Sequence, residues 1–211
     1  EISACLVGSE MCIRDRRGYD LVGIDKSRSM LKVARQKITK YCLDAKVRCA
    51  DIREFSLGAR FDACICMFAV INYVVKTDDL IEALRNIRRH LKSGALLVLD
   101  TWYGPAVLSL KPSARIKIVK DAGIKVIRTV VPELDTYKHT QKSNYHLLAI
   151  KNNKVIDEVR EIHVLRFLFP QELLHYLTET DFEVLRFCEF PHLNIPPSES
   201  TWNVAVVSKT H

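Results

Sequence analysis

No apolar run in this 211-residue chain approaches the ~20 residues that a membrane helix needs. The N-terminus lacks the charged-then-apolar order of a secretory signal. There is no Cys-x-x-Cys pair and no helical His-Glu-x-x-His, so no metal site is expected. The seven cysteines, Cys5, Cys12, Cys42, Cys49, Cys64, Cys66 and Cys188, are odd in number, and several sit in apolar runs. That is the pattern of free thiols in a reducing cytosol, so a cytoplasmic protein is expected. Cys64-Ile65-Cys66 alternates in a strand-like run, and its two thiols share a face as packing residues. No internal repeat and no low-complexity segment occurs. The net charge of +7 is not gathered in one place. Small basic groups lie at Arg14/Arg16/Arg17, at Arg85/Arg88/Arg89 and from Lys111 to Arg128, which suits a solvated surface better than a nucleic-acid footprint. Neither nucleic acid nor membrane is an expected partner, and the oligomeric state is not legible.

What is present is an ordinary globular composition, 48% hydrophobic and 27% charged. The length suits one domain over 1–211, large enough for a proper core. The most informative stretch is Leu21-Val22-Gly23-Ile24-Asp25. Four mostly apolar residues ending on a carboxylate read as a buried strand of a parallel sheet. The serines of Lys26-Ser27-Arg28-Ser29 fit a helix N-cap, and Met30, Leu31, Val33, Ala34 and Ile38 follow at amphipathic spacing over 28–40. Asp25 therefore stands at the carboxyl end of a strand, where open α/β sheets bind ligands. A carboxylate there can accept hydrogen bonds from both hydroxyls of a ribose.

The pattern repeats down the chain. Ala45–Cys49 reads as a short strand followed by Ala50-Asp51-Ile52, a second carboxylate at a strand end. Asp51 is placed to take an adenine amino group while Ile52 packs on the ring. Phe61 to Phe68 is a fourth, nearly continuous apolar strand running into Asn72-Tyr73. Thr77-Asp78-Asp79 caps a helix over about 80–91, stopped by Ser93-Gly94, and Ala95 to Asp100 is a further buried strand. This alternation predicts an α/β fold with a doubly wound, mostly parallel sheet. After Thr101-Trp102-Tyr103-Gly104-Pro105 the pattern changes to strands at 115–119, 124–131, 138–150 and 153–168, with a hairpin turn at Lys151-Asn152-Asn153-Lys154. An antiparallel β insert over about 113–168 is expected, on the substrate side. Pro170-Gln171-Glu172 then starts a helix ending near Thr180, and Phe182–Phe187 and Trp202–Val207 are the last strands.

If Asp25 grips a ribose, a glycine-rich turn belongs ~20 residues upstream. Only Gly8 is there. Ser9-Glu10-Met11-Cys12-Ile13-Arg14-Asp15-Arg16 resembles a translated sequencing-adapter artefact, so residues 1–16 are expected to be non-native or disordered, with the first strand and its glycine loop lost. Arg17-Gly18-Tyr19-Asp20 reads as a helix end with glycine at C′.

As a set, Gly18 to Ser27 with Met30-Leu31, Ala50-Asp51-Ile52, Phe61-Asp62-Ala63 to Asn72-Tyr73, and His90 to Val98 resemble the class I S-adenosylmethionine-dependent methyltransferases over about 17–103. Glu161-Ile162-His163, Pro170-Gln171-Glu172-Leu173-Leu174 and Trp202-Asn203-Val204 are similar, more loosely, to the small-molecule branch and within it to amino-sugar N-methyltransferases. The resemblance implies a Rossmann-like sheet, S-adenosylmethionine as cofactor and a small-molecule N or O acceptor. It implies that Asp25 binds the ribose hydroxyls with Lys26 and Met30 beside it, that Asp51 and Ile52 bind adenine, and that Met67 and Phe68 flank the methionine portion. His163 is the candidate base, and Tyr73, Trp102 and Tyr103 lie past strand ends on the acceptor side, Tyr103 being the second candidate catalytic residue. A sulfonium donor is already activated, so proximity and alignment are what the protein must add. The competing readings are a non-catalytic or truncated domain of the same type and an NAD(P)-dependent oxidoreductase, against which Asp51-Ile52 and the absence of a Tyr-x-x-x-Lys pair both count. His139, His146, His175 and His192 read as surface.

Overall fold

The computed structural model describes residues 2–5, 19–121 and 123–211. Eleven strands fall into two sheets among these residues. The larger sheet uses β1 (Ile2–Cys5), β2 (Leu21–Asp25), β3 (Ala45–Cys49), β4 (Phe61–Cys66), β5 (Leu91–Trp102), β10 (Phe182–Glu189) and β11 (Asn203–Thr210). Its order is β10-β11-β5-β4-β1-β2-β3. Pairing is parallel from β3 through β5, and β11 is antiparallel to both β5 and β10. Parallel neighbours need crossovers, and these are α1 (Arg28–Lys40) between β2 and β3 and α2 (Thr77–Arg89) between β4 and β5. The sheet is doubly wound, as the alternating pattern predicted.

The expectation of a lost first strand is overturned. Ile2–Cys5 lies in the middle of the sheet, pairing Ile2 with Leu21 and with Ala63, and Cys5 with Cys66. Four residues are too few for periodicity to reveal a strand, so only the two neighbouring strands identify it. Gly8, the adapter-like segment and the helix end at Gly18 lie outside the described residues.

One large core lies under α2, which presents Leu80, Leu84 and Ile87 to Phe61, Leu97 and Leu99, all at most 2% exposed. Its other boundary is α4 (Pro170–Glu179), which buries Leu173 and Leu177 in the same cluster. On the opposite face Ile65 and Met67 form a smaller cluster with Val98 and Phe190. Cys64 and Cys66 are buried in the sheet, matching the packing role expected for them.

Three boundaries differ from expectation. Helix α2 begins after Lys76, not on a Thr77 cap, because the Thr77 hydroxyl accepts from Arg166 Nη1 at 3.0 Å. It ends at Arg89, and Gly94 lies inside β5, with a left-handed φ of 74° that glycine tolerates. Helix α3 (Gly104–Leu110) was not foreseen, since seven residues make two turns and too little apolar pattern to read.

The second sheet is antiparallel, in the order β6 (Arg115–Asp121), β7 (Ile124–Asp135), β8 (Thr140–Lys151) and β9 (Lys154–Arg166). The β8–β9 turn holds Asn152 and Asn153 at φ 50° and 58°, the left-handed pair that a two-residue hairpin requires and asparagine supplies. Side-chain alternation gives this sheet two faces. Gln141, Ser143 and Leu165 on one face are buried toward the main sheet, whereas Ile116, Val131 and Ile162 on the other are 71%, 54% and 65% exposed.

Candidate active site

The central position of β1, between β2 and β4, makes the carboxyl ends of these strands the topological switch point of the sheet. Asp25 is the last residue of β2 and lies opposite Cys49, the last of β3. Its Oδ1 accepts the Ser27 N–H at 2.7 Å, and Ser27 Oγ in turn accepts the Met30 N–H at 3.3 Å, capping α1. No hydrogen bond to Asp25 Oδ2 comes from the described residues. The carboxylate is thus fixed by one oxygen and presents the other. The Met30 and Lys26 side chains beside it are exposed.

Asp51 sits two residues past β3, and the structure gives it partners the sequence did not reveal. Arg53 Nε and Nη2 donate to its two oxygens at 2.9 and 2.8 Å, the Arg53 backbone N–H adds a third bond at 3.0 Å, and Lys26 Nζ lies 3.2 Å away. The Arg53 guanidinium, foremost, holds this carboxyl well below its usual range against the opposing effect of burial. Arg53 also reaches Asp79 of α2 at 3.0 Å. Ile52 packs against the large core, and its carbonyl accepts from Asn86 Nδ2, as does that of Phe55. The His90 ring accepts the Leu57 N–H and stacks on Phe55 at 4.3 Å. Asn86 and His90 therefore pin the loop that carries Asp51 and Ile52.

A carboxyl depressed in the folded state contributes stability that is present above its unfolded value, about 4, and is lost as pH falls. Wild type is thus expected to be more stable than Asp51→Asn at pH 7, with the gap closing as pH drops below about 4. Urea midpoints of the two proteins across that window check it. A gap that stays constant removes the ionic role.

After β4, Met67 is buried at 5% exposure while Phe68 projects at 61%. Phe68 and Ala69 both adopt left-handed backbone, φ 66° and 56°, which costs non-glycine residues energy and recurs at functional sites. The turn is held by the buried Asp100 at the end of β5, whose Oδ1 accepts the Ala69 N–H at 2.8 Å. A 3₁₀ turn, Val70–Tyr73, follows. The fully buried Asn72 donates to Thr101 Oγ1 at 3.0 Å and to the Arg166 carbonyl, joining this turn to β5 and β9.

On the insert, His163 faces inward from β9. Its Nδ1 is 2.9 Å from Tyr73 Oη and its Nε2 is 3.1 Å from Glu161 Oε2. Tyr145 of β8 packs edge-on against the same imidazole, with ring centroids 5.0 Å apart. Tyr103 is elsewhere, at the start of α3. Its N–H donates to Trp202 O at 2.9 Å and its ring packs near Phe187, so the structure does not join the two candidate catalytic residues. Trp102 packs on Trp202. Of the histidines read as surface, His139 packs between Phe167 and Phe169. His146 pairs with Glu158 at 2.8 Å on the outer face of the insert.

The described side chains suit an adenosyl group. A carboxylate oxygen without a hydrogen bond from the described residues stands at the β2 end, a loop with a carboxylate and an apolar neighbour stands beyond β3, and a methionine–phenylalanine turn stands beyond β4. Asp51 is already engaged by Arg53, so any further donor to that carboxylate would have to share it.

Comparison with known proteins points the same way. Residues 5–94 match the family model described as a methyltransferase domain. Over 102 residues the chain is 30% identical to dTDP-3-amino-3,4,6-trideoxy-alpha-D-glucopyranose N,N-dimethyltransferase of Streptomyces venezuelae, covering 48% of this chain and 41% of that protein. Over 103 residues it is 32% identical to dTDP-4-amino-2,3,4,6-tetradeoxy-D-glucose N,N-dimethyltransferase of Saccharopolyspora spinosa, covering 48% and 39%. The matches thus span about two fifths of these relatives. The fold superposes on an S-adenosylmethionine-dependent methyltransferase from Clostridium acetobutylicum with a TM-score of 0.86 at 18% identity, covering 99% of this chain and 82% of that one. It superposes on the sugar N-methyltransferase KedS8 from Streptoalloteichus with a TM-score of 0.79 at 24% identity, covering 98% and 78%.

Proposed function

We propose that this chain, a class I methyltransferase domain by its fold and by its match over residues 5–94, moves a methyl group from S-adenosylmethionine to an amino group of a small molecule. The observation that carries the reading is the pair of strand-end carboxylates, Asp25 and Asp51, set in step at the switch point of the sheet. The cofactor supplies a methyl group already activated on a sulfonium. Asp25 Oδ2 receives the ribose hydroxyls, with Lys26 and Met30 lining the same side. Asp51 accepts from adenine while Ile52 backs the ring. Met67 and Phe68 would bound the methionine portion, beside the strained turn at Phe68-Ala69. The chain's contribution is alignment of acceptor and donor and removal of the acceptor's proton. His163 is the base available on the acceptor side, and Tyr103 shapes the far wall.

The finer reading of the acceptor is an amino sugar joined to a nucleotide, as the names of the relatives state for those proteins. The inner face of the insert supports it. Register puts Arg115, Lys117 and Arg128 on the same sheet face as Tyr145 and His163, with Arg128 over the Tyr145 ring, so three cations stand on that face for phosphates. The free cysteines suit a reducing compartment, such as the cytoplasm.

Calorimetric titration of S-adenosylhomocysteine, with NADH as control, and transfer of labelled methyl from S-adenosylmethionine to dTDP-3-amino-3,4,6-trideoxyglucose test the proposal. Micromolar binding of the homocysteine ligand, silence with NADH and label on the sugar amine are expected. Silence with S-adenosylhomocysteine sinks the reading and leaves a non-catalytic domain, whereas binding of NADH alone selects an oxidoreductase.

A further inference from the structure

We propose that the Tyr73 hydroxyl is the group that meets the acceptor's amino nitrogen and takes its proton, with His163 and Glu161 acting through it. This rests on the methyl-transfer reading above. Tyr73 ends the 3₁₀ turn that follows β4, beyond the carboxyl end of the strand as Met67 and Phe68 are, and it is 51% exposed. Its hydroxyl is 2.9 Å from His163 Nδ1, and His163 Nε2 is 3.1 Å from Glu161 Oε2. Glu161 and His163 are two residues apart on β9, so strand alternation puts them on one face.

The directions of these bonds follow from chemistry. A carboxylate only accepts, so Nε2 carries the imidazole proton and donates it to Glu161. Nδ1 is then the acceptor, and Tyr73 O–H donates to it. This is the orientation logic of a carboxylate–histidine–hydroxyl chain, in which the acid fixes the tautomer and steadies the imidazolium. The outermost oxygen of the chain, on Tyr73, retains lone pairs for an incoming N–H.

The surroundings make Tyr73 a relay and not a free base. Burial, foremost, and then Tyr145 and Glu161 push its phenol up from the ordinary value, so it stays protonated at neutral pH. The titratable and charged groups around it are Tyr145 from β8 and Glu161 and His163 from β9, with Arg128 of β7 lying over the Tyr145 ring at 5.8 Å. A protonated phenol accepts a proton only as it passes its own on.

The step balances as follows. The acceptor ammonium gives one proton to Tyr73 Oη while the Tyr73 proton moves to His163 Nδ1. The resulting imidazolium is balanced by Glu161. The nitrogen lone pair so freed forms the bond to the methyl carbon as the carbon–sulfur bond breaks, and that electron pair stays on sulfur. The product leaves as an N-methylammonium, and His163 returns its proton to solvent.

The purely structural reading makes Tyr73 a strut between the 3₁₀ turn and the insert. The two readings separate on kinetics. With dTDP-3-amino-3,4,6-trideoxyglucose as acceptor, Tyr73→Phe is expected to lower kcat about a hundredfold, at the modest end of acid–base effects, with KM for S-adenosylmethionine unchanged within about twofold. The loss should shrink as pH rises toward the acceptor amine's own pKa, because the amine then arrives neutral. In spectra of ¹⁵N-histidine-labelled protein the His163 Nδ1 resonance should move in Tyr73→Phe, with or without cofactor. His146→Gln, which breaks the His–Glu pair on the outer face, should turn over like wild type. A Tyr73→Phe enzyme with wild-type kcat, or with the same loss at every pH, overturns the relay. Wild-type protein that binds S-adenosylhomocysteine yet leaves this amine unmethylated overturns it too while sparing the cofactor site. Failure to bind S-adenosylhomocysteine overturns both readings.

Discussion

Arg166→Met is expected to lower the free energy of unfolding by about 3–5 kcal/mol, the cost of leaving a buried charge without its partner. Arg166 is 7% exposed at the end of β9, and its guanidinium joins three elements. Nη1 donates to the Val75 carbonyl at 3.3 Å and to Thr77 Oγ1 at 3.0 Å, at the start of α2. Nη2 donates to Glu172 and, at 3.1 Å, to Tyr176 Oη, both on α4. Glu172 is itself committed, since its Oε2 accepts the Phe169 N–H at 3.2 Å at the start of that helix and its Oε1 accepts the Tyr176 hydroxyl at 3.1 Å. Removing the arginine strands a carboxylate whose side chain is only 18% exposed. Removing both charges, in Arg166→Met with Glu172→Gln, leaves no buried charge unpaired, although the Val75 carbonyl and the Thr77 hydroxyl still lose their donor, so the double variant should lose clearly less than the sum of the singles. Urea midpoints of the four proteins decide the matter. A single variant within about 1 kcal/mol of wild type would mean that the pair's desolvation already cancels its attraction.

The arginine also marks a limit of sequence reading. Arg166 lies 91 residues from the carbonyl at Val75 that it holds. No local pattern predicts such a partnership, and the expectation that Thr77 caps α2 failed because its hydroxyl serves Arg166. The same distance hid the Tyr73–His163 bond, although each residue was legible alone: His163 from its strand with Glu161, and Tyr73 from its place past a strand end. What could be read were features written within one strand and its following turn. Asp25 belongs to that class, since five residues give a buried strand and the next few give a capped helix. So does the insert, whose strands are long enough to alternate visibly. Asp51 was half legible. Its position past β3 followed from the strand pattern, whereas the grip of Arg53 depends on a rotamer that returns the side chain onto a carboxylate two residues back.

The half-legible and the fully legible carboxylate make opposite predictions. Asp25→Ala is expected to weaken S-adenosylhomocysteine binding on the order of a hundredfold or more. Two hydroxyl donors to one carboxylate are worth about 1.5–3 kcal/mol each, and each 1.4 kcal/mol is tenfold in affinity. Among the described residues the Asp25 carboxylate has one short contact, the Ser27 N–H at 2.7 Å, and the expected loss assigns the acceptor capacity of its second oxygen to a ligand. Asp51 is the reverse case. Arg53 and Lys26 already surround its two oxygens, and an adenine amino group finds a partly satisfied acceptor. Asp51→Ala should therefore cost about tenfold or less in affinity, most of it through the released loop. Asp25→Asn should fall between Asp25→Ala and wild type, because its one carbonyl oxygen keeps the bond to Ser27 while the amide NH2 takes the place of Oδ2 and can only donate to a ribose hydroxyl oxygen. Calorimetry on the three variants gives the order directly, with melting temperatures confirming that each remains folded. A larger loss in Asp51→Ala than in Asp25→Ala would reverse the assignment and move the ribose to the β3 side of the sheet.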